Sequence, residues 1–215
     1  MAVSIRDYQI ATDQYNLYDV TFYTDQIHTV LTYSPSPVEQ WLAETYQFHH
    51  RNRSDRPSTV GLDVEWRPNF SRFIDNPIAT LQLCIGNRCL VFQILHSQFI
   101  PQSLAKFLWN QNGDFVFVGV GIANDVAKLW RDYGLSVGNT VDLRSLAVEK
   151  SNGGPYQNAG LKQLTWEILG REIEKPKSIT LSGWDSIWLT PCQVLYACLD
   201  AFVSCEIGNF LFCCD

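Results

Sequence analysis

The chain has no Cys-x-x-Cys pair, no zinc-like grouping among its four histidines, and no apolar stretch approaching the ~20 residues of a bilayer span. Its opening, MAVSIRDYQIATDQ, lacks the apolar core of a secretory signal. Internal repeats, low-complexity tracts and long linkers are also missing. Charged residues make up only 18%, which argues against a disordered chain. An excess of basic residues is absent too: 16 Lys and Arg face 22 Asp and Glu, for a net charge of −6. Proteins that grip nucleic acid through many phosphates are usually basic. The composition therefore argues against a tight DNA-binding module and leaves room for local, brief contact. The seven cysteines (Cys84, Cys89, Cys192, Cys198, Cys205, Cys213 and Cys214) are odd in number and lie in apolar runs. They predict buried thiols in a reducing compartment. The expected location is intracellular, nucleus or cytoplasm, with no membrane association.

What is present suffices for a proper core: 46% hydrophobic and 13% aromatic residues in 215. That length fits one medium domain with an extension. Residues 1–35 alternate, as in Tyr18-Asp19-Val20-Thr21-Phe22 and Ile27-His28-Thr29-Val30-Leu31, and predict a strand-rich extension. Residues 36–215 form the main domain. Ser36, Pro37 and Glu39 read as a capping box opening a helix, with Val38, Trp41, Leu42 and Tyr46 on its apolar face. Residues 49–58 are polar and basic, and read as a loop.

Strands are predicted over 59–66, 79–85, 89–94, 115–120 and 140–143, with Gly86-Asn87 as a tight turn. Helices are predicted over 101–110, from Ile122 to a cap at Gly134, over 161–169 and over 191–212. Thr190, Pro191 and Gln193 cap the last of these. Three adjoining strands followed by alternating helices and strands predict an α/β sandwich around a mixed, mainly five-stranded sheet. That order suits a ribonuclease H-like three-layer fold and not an eightfold barrel.

Asp63 and Glu65 stand two apart in an otherwise apolar strand, so they project from one face while Leu62 and Val64 project from the other. Two neighbouring anions repel unless a cation joins them; the alternative is an edge strand with one solvated face. Asp125 opens the helix after Val118-Gly119-Val120-Gly121, where the helix dipole favours an acid with or without a further role. Asp200 lies in a nearly wholly apolar helix, one turn after Tyr196 on the same face. An aspartate there is costly unless ligated or bonded to a partner such as a lysine. Four converging acids make an oxygen cage for hard cations, Mg²⁺ or Mn²⁺. Two such ions ~4 Å apart clamp a phosphodiester in nucleases.

These residues carry a family resemblance. Gly61-Leu62-Asp63-Val64-Glu65-Trp66-Arg67-Pro68 resembles the first exonuclease motif of the DEDD superfamily, especially its Werner-syndrome exonuclease branch. Ala79-Thr80-Leu81-Gln82-Leu83-Cys84 is similar to the strand after it, and Val118 to Asp125 with Lys128-Leu129 to the second motif. Leu161-Lys162-Gln163-Leu164, then Leu189-Thr190-Pro191-Cys192-Gln193 running into Tyr196-Ala197-Cys198-Leu199-Asp200-Ala201, resemble the approach to the third motif and that motif itself. The match covers roughly residues 36 to 212, in order. Leu195 stands where one branch carries histidine, and Tyr196 marks the tyrosine branch.

The resemblance implies a 3′–5′ exonuclease domain using two divalent cations, Mg²⁺ or Mn²⁺. It implies Asp63 bridging both ions, Glu65 and Asp200 completing the first site, and Asp125 holding the second, directly or through water. Tyr196 would orient the attacking water, since a phenol of pKa ~10 is a poor base at neutral pH. Expected partners are nucleic-acid 3′ ends, DNA more than RNA, and a second copy of the chain, because the family includes homo-oligomers. Substrate contacts are expected at Trp66, Arg67, Phe70, Arg72 and Lys162, with Phe73, Lys175 and Lys177 as further candidates; core packing explains Trp66 equally well, and each basic residue taken singly also reads as an ordinary solvated charge. Two other readings stand beside this one. One is a ribonuclease H-like scaffold with weak or no catalysis. The other is a dinucleotide-binding turn at Gly119-x-Gly121-x-x-Asn124 with Asp142 downstream; it lacks the third glycine and places Asp125 where a pyrophosphate would sit.

Overall fold

The computed structural model describes residues 3–10, 12, 14–51, 56–71 and 73–213. Strands β1 (Val3–Asp7), β2 (Tyr15–Phe22) and β3 (Asp25–Thr32) lead into helix α1 (Pro35–Arg51). A hairpin ladder follows: β4 (Ser58–Trp66), β5 (Ile78–Ile85) and β6 (Arg88–Phe92). The chain then alternates through α2 (Gln102–Trp109), β7 (Phe115–Gly119), α3 (Ile122–Tyr133) and β8 (Thr140–Asp142). It closes with α4 (Leu143–Lys150), α5 (Leu161–Leu169), α6 (Lys177–Thr180) and α7 (Pro191–Cys213).

All eight strands form one mixed sheet, in the order β1-β2-β3-β6-β5-β4-β7-β8. The expected five-stranded core is there, but the N-terminal strands are continuous with it rather than appended. β3 pairs in parallel with β6, from His28↔Arg88 to Thr32↔Phe92. Tyr18, Val20, Phe22 and Ile27 are buried in the same core layer as α7, which makes these strands integral to the fold. Hairpin alternation alone does not reveal a parallel pairing that skips over α1, β4 and β5.

Strand alternation divides the core into two layers. Val60, Leu62 and Val64 of β4 join Leu81 and Leu83 of β5, Phe115 and Phe117 of β7, and the apolar faces of α1, α2 and α3. The opposite face packs under α4, α5 and α7. Each fully buried Leu or Phe in such layers contributes roughly 1.5–3 kcal/mol.

Helix ends largely follow the expected signals. Gly134 caps α3 in the left-handed region, with its N–H donating to the Trp130 carbonyl at 2.9 Å. At α7 the capping box is reciprocal: Thr190 N–H donates to Gln193 Oε1 at 2.9 Å, and Gln193 N–H to Thr190 Oγ1 at 3.3 Å. α1 starts at Pro35, which puts Ser36 inside its first turn rather than at the cap. It runs on to Arg51, through the first of the residues expected to form a loop; residues 52–55 lie outside the described ones. The short helices α4 and α6 differ from the sequence expectation, which placed no helix there. α7 is long and apolar enough to cross a membrane, contrary to expectation, with a mean hydropathy of 1.4 over its most apolar window. Yet 78% of that window is buried against the sheet, which makes it the core helix of this fold. Cys84, Cys89, Cys198 and Cys205 are buried free thiols, as expected, whereas Cys192 and Cys213 are exposed; Cys214 lies outside the described residues.

Candidate active site

The alternation that buries Val60, Leu62 and Val64 turns Gly61, Asp63 and Glu65 toward α7. The helix comes close because Gly61 has no side chain: a Cβ there would lie 1.8 Å from the Ala201 carbonyl oxygen. That approach brings Asp200, the residue before Ala201, down onto the strand. One oxygen each from Asp63, Glu65 and Asp200 lies within 4.8 Å of the others.

Three carboxylates at this spacing resist ionising together. Burial first, then the charges of Asp200, Glu65 and Asp125, hold the Asp63 carboxyl well above its ordinary range. Burial and the Asp200 charge push Glu65 up to about 8, against the pull of Lys175. Burial raises Asp200 as well, opposed by Lys175 and by a hydrogen bond from Tyr196. Asp63 Oδ2 is buried without any hydrogen-bond partner. A half-dry cluster of hard oxygen donors with one oxygen unsatisfied fits a divalent cation, whose charge would relieve the repulsion.

Asp125 occupies the first turn of α3, after Gly121 at φ +75°, a backbone conformation that suits glycine. Its carboxylate stands outside the group of three, although its charge reaches Asp63 and Glu65. Burial and the nearby Asp142 push it up to about 7. Asp142 accepts the Gly121 N–H at 2.7 Å and the Arg144 N–H at 2.9 Å, capping α4. It is thus engaged by backbone amides and does not stand free for a ribose, which removes the support for a dinucleotide-binding turn.

Tyr196 is buried one turn before Asp200, with its ring 5.8 Å from that of Trp184. Burial, then the three carboxylates, raises its hydroxyl far above the neutral range. It therefore stays protonated beside Asp200.

Lys175 belongs to this cluster more closely than its place in the sequence suggests. Its Nζ lies 2.6 Å from Asp200 Oδ2 and 5.1 Å from the centre of the Tyr196 ring. Burial favours its neutral form, but Asp200, Asp63 and Glu65 outweigh that and raise its pKa. The two readings of Asp200, metal ligand and lysine-bonded acid, thus meet at one carboxylate. Thr80 and Gln82, both buried, stand opposite Glu65 and Asp63 on β5 and wall the cluster.

The expected substrate contacts spread more widely. Trp66 packs into the opposite core layer under the Lys128 ammonium, 5.3 Å from its ring centre, and so turns away from the carboxylates. Arg67 is ion-paired with Asp185 at 3.1 Å, which ties the loop after β4 to the segment before α7. Asn76 closes the neck of that loop, with its Nδ2 donating to the Arg67 carbonyl at 3.0 Å. Phe70 and Phe73 stand in solvent beyond the neck, 81% and 84% exposed. Arg72 lies outside the described residues. Lys162 pairs with Glu172 at 3.5 Å on the surface, and Lys177 is exposed at the start of α6.

Comparison with known proteins bears on this geometry. The sequence profile of the 3′–5′ exonuclease family matches residues 38–212. A 3′–5′ exonuclease of Arabidopsis thaliana is 40% identical over 154 residues, covering 71% of this chain and 52% of that protein. The bifunctional 3′–5′ exonuclease/ATP-dependent helicase WRN of Mus musculus is 34% identical over 155 residues, covering 70% of this chain but 11% of that protein. The chain therefore spans about half the length of the first relative and a small part of the second. Among solved structures, the Aedes aegypti Nibbler EXO domain superposes with a TM-score of 0.65 at 24% identity, over 84% of this chain and 85% of that one, a likeness of fold. With its profile match running from α1 to the end of α7, the chain belongs to the 3′–5′ exonuclease domain family.

Proposed function

We propose that this chain removes nucleotides from the 3′ ends of nucleic acid by metal-dependent phosphodiester hydrolysis, in the manner of the Werner-type exonucleases. The observation that carries the reading is the convergence of Asp63, Glu65 and Asp200 on one spot, with a buried Asp63 oxygen left unpartnered. Asp63, Glu65 and Asp200 would hold one Mg²⁺ or Mn²⁺, and Asp125 would help hold a second. Bound there, such ions activate water and stabilise the leaving oxygen.

The chain's own residues orient and balance charge. Asp63, grouped with Glu65 and Asp200, would contribute to both metal positions. Tyr196, kept protonated, presents a hydroxyl that orients a water rather than taking its proton. Lys175 offers a cation beside Asp200, matched to the phosphate that the carboxylates alone would repel. Phe70 and Phe73 offer exposed rings on which a terminal base can stack. Arg67, fixed by Asp185, is a phosphate contact at the rim, and Lys162 a more distant one. DNA is the favoured polymer, with RNA ends as the alternative.

We extend the reading to a homo-oligomer, supported by the exposed Phe210 near the end of α7. Sedimentation showing only a 24.5 kDa species contradicts that part. The free buried thiols support a reducing compartment, nucleus or cytoplasm.

The test of the reading uses 5′-labelled single-stranded and recessed-end DNA and matched RNA, with Mg²⁺, Mn²⁺ or EDTA. A ladder shortening from the 3′ end, present with metal and lost with EDTA, is the expected result. Intact substrate throughout, with metal still bound, instead supports a non-catalytic scaffold.

A further inference from the structure

Lys175 lies on a stretch with no regular structure. Between the end of α5 and the start of α6, residues 171–176 belong to neither helix nor strand, so no ladder holds them. A cleft of about 640 Å³ opens along this stretch, lined by Val3, Tyr23, Glu172, Glu174, Pro176 and Tyr196 among others.

The β2–β3 turn lies outside the family match, and it grips the beginning of this stretch. Arg171 is ion-paired with Asp25, and its guanidinium lies 5.8 Å from the Phe22 ring centre and 5.7 Å from that of Tyr23. At the next residue, the Glu172 N–H donates to the Tyr23 hydroxyl at 2.9 Å. Tyr23 itself sits at φ +56°, and its ring packs edge-on against Phe22 at 4.9 Å. Phe22 in turn meets Phe202 of α7, 6.1 Å away, so the turn is referenced to the helix that carries Asp200. Ile173 is buried, and two residues later Lys175 reaches Asp200.

We infer that the Tyr23–Asp25 turn is a positioning element for the site: it fixes the backbone at Arg171 and Glu172 and thereby holds the Lys175 ammonium on Asp200. The inference rests on the exonuclease reading for the use of Lys175, but not for the geometry. An ammonium held on Asp200 competes with an incoming cation for that carboxylate and repels it. Releasing the clamp therefore changes metal affinity as well as turnover, and does so only through Lys175.

The experiment is a double-mutant cycle in the full chain, with Mn²⁺ binding followed by electron paramagnetic resonance and turnover measured on the same samples. Asp25→Asn and Tyr23→Phe each loosen one half of the clamp, and thermal melting checks the fold of every variant. The Tyr23→Phe change removes one hydroxyl and keeps the cycle readable should Asp25→Asn fold poorly. Lys175→Gln is expected to tighten Mn²⁺ binding several-fold, and the clamp variants are expected to tighten it in part. In the Lys175→Gln background, the same clamp changes are expected to do nothing further to affinity or kcat. With Lys175 present, Asp25→Glu, which keeps the carboxylate, is expected to behave as wild type. Wild-type affinity in both clamp variants, or equal effects with and without Lys175, overturns the proposal. A cycle that behaves as expected in a chain that cleaves nothing leaves the positioning role standing and removes the exonuclease reading. Failure of the wild-type chain to bind Mn²⁺ removes both.

Discussion

Gly61 of β4 lies so close to the main chain of α7 that any β-carbon would sit 1.8 Å from the Ala201 carbonyl oxygen. The packing of helix on sheet and the position of Asp200 over Asp63 are therefore one fact. Replacing this hydrogen with a methyl group must lift the helix or shift the strand, because the obstacle is backbone and cannot change rotamer.

Gly61→Ala is accordingly expected to destabilise the chain by an amount near the upper end of the ~1–3 kcal/mol typical of overpacking. It should also weaken Mn²⁺ binding, since Asp200 moves with the helix. Thermal melting and metal titration check both effects. An unchanged melting temperature would show that the close approach is slack.

Burial of the carboxylates, with the charges of their neighbours added, predicts a pH dependence of the metal-free protein. In the folded chain Glu65 is raised to about 8 and Asp125 to about 7, from ordinary values of 4.5 and 3.8. The folded state thus binds protons more tightly than the unfolded state, so stability falls as pH rises. The contribution is full below pH ~4 and lost by pH ~8. Melting curves in EDTA should therefore move down across this window and recover at the top of it when Mg²⁺ is added. Asp63→Asn should flatten the curve and raise the metal-free melting temperature at pH 8. A steeper decline in that variant would contradict the repulsion.

Tyr196 stands one turn before Asp200 and is held protonated by burial and the neighbouring carboxylates. Tyr196→Phe should lower kcat by on the order of 10²-fold, the scale of a misplaced reactant, while leaving Mn²⁺ affinity alone. Single-turnover kinetics and metal titration separate the two. Lost metal binding would mean that the hydroxyl supports a ligand and not a water.

Arg67 is ion-paired with Asp185. Arg67→Ala should weaken substrate binding and reduce the salt dependence of log K by about 0.7–0.9, the value of one phosphate contact. Binding isotherms at several salt concentrations measure the slope, and an unaltered slope would leave Arg67 as a loop tie only.

Much of the site is legible in the sequence. Strand alternation places Asp63 and Glu65 on one face, and the cost of an acid in an apolar helix marks Asp200, with Tyr196 one turn away. These are local patterns, with periods of two and of about 3.6 residues, which a sequence displays directly. What stays hidden depends on distance along the chain. The β3–β6 pairing skips over three intervening elements, so the N-terminal strands look like an appendage in one dimension. Lys175 lies in a stretch without periodicity, and only the fold brings it to Asp200. Trp66 follows Glu65 in sequence yet packs on the other face beneath Lys128, which decides between the stacking and core-packing roles that its place in the first motif left open. Gly61 carries a faint signal, since glycine inside an apolar strand often marks a close backbone approach.

The central claim is that Asp63 and its neighbours hold metal in order to hydrolyse 3′ ends. The most direct measurement digests 5′-labelled DNA with wild-type chain and with Asp63→Asn at equal concentration in Mn²⁺, both shown folded by melting. The expected result is a ladder shortening from the 3′ end with wild type and none with the variant. Equal ladders from both proteins would contradict the claim.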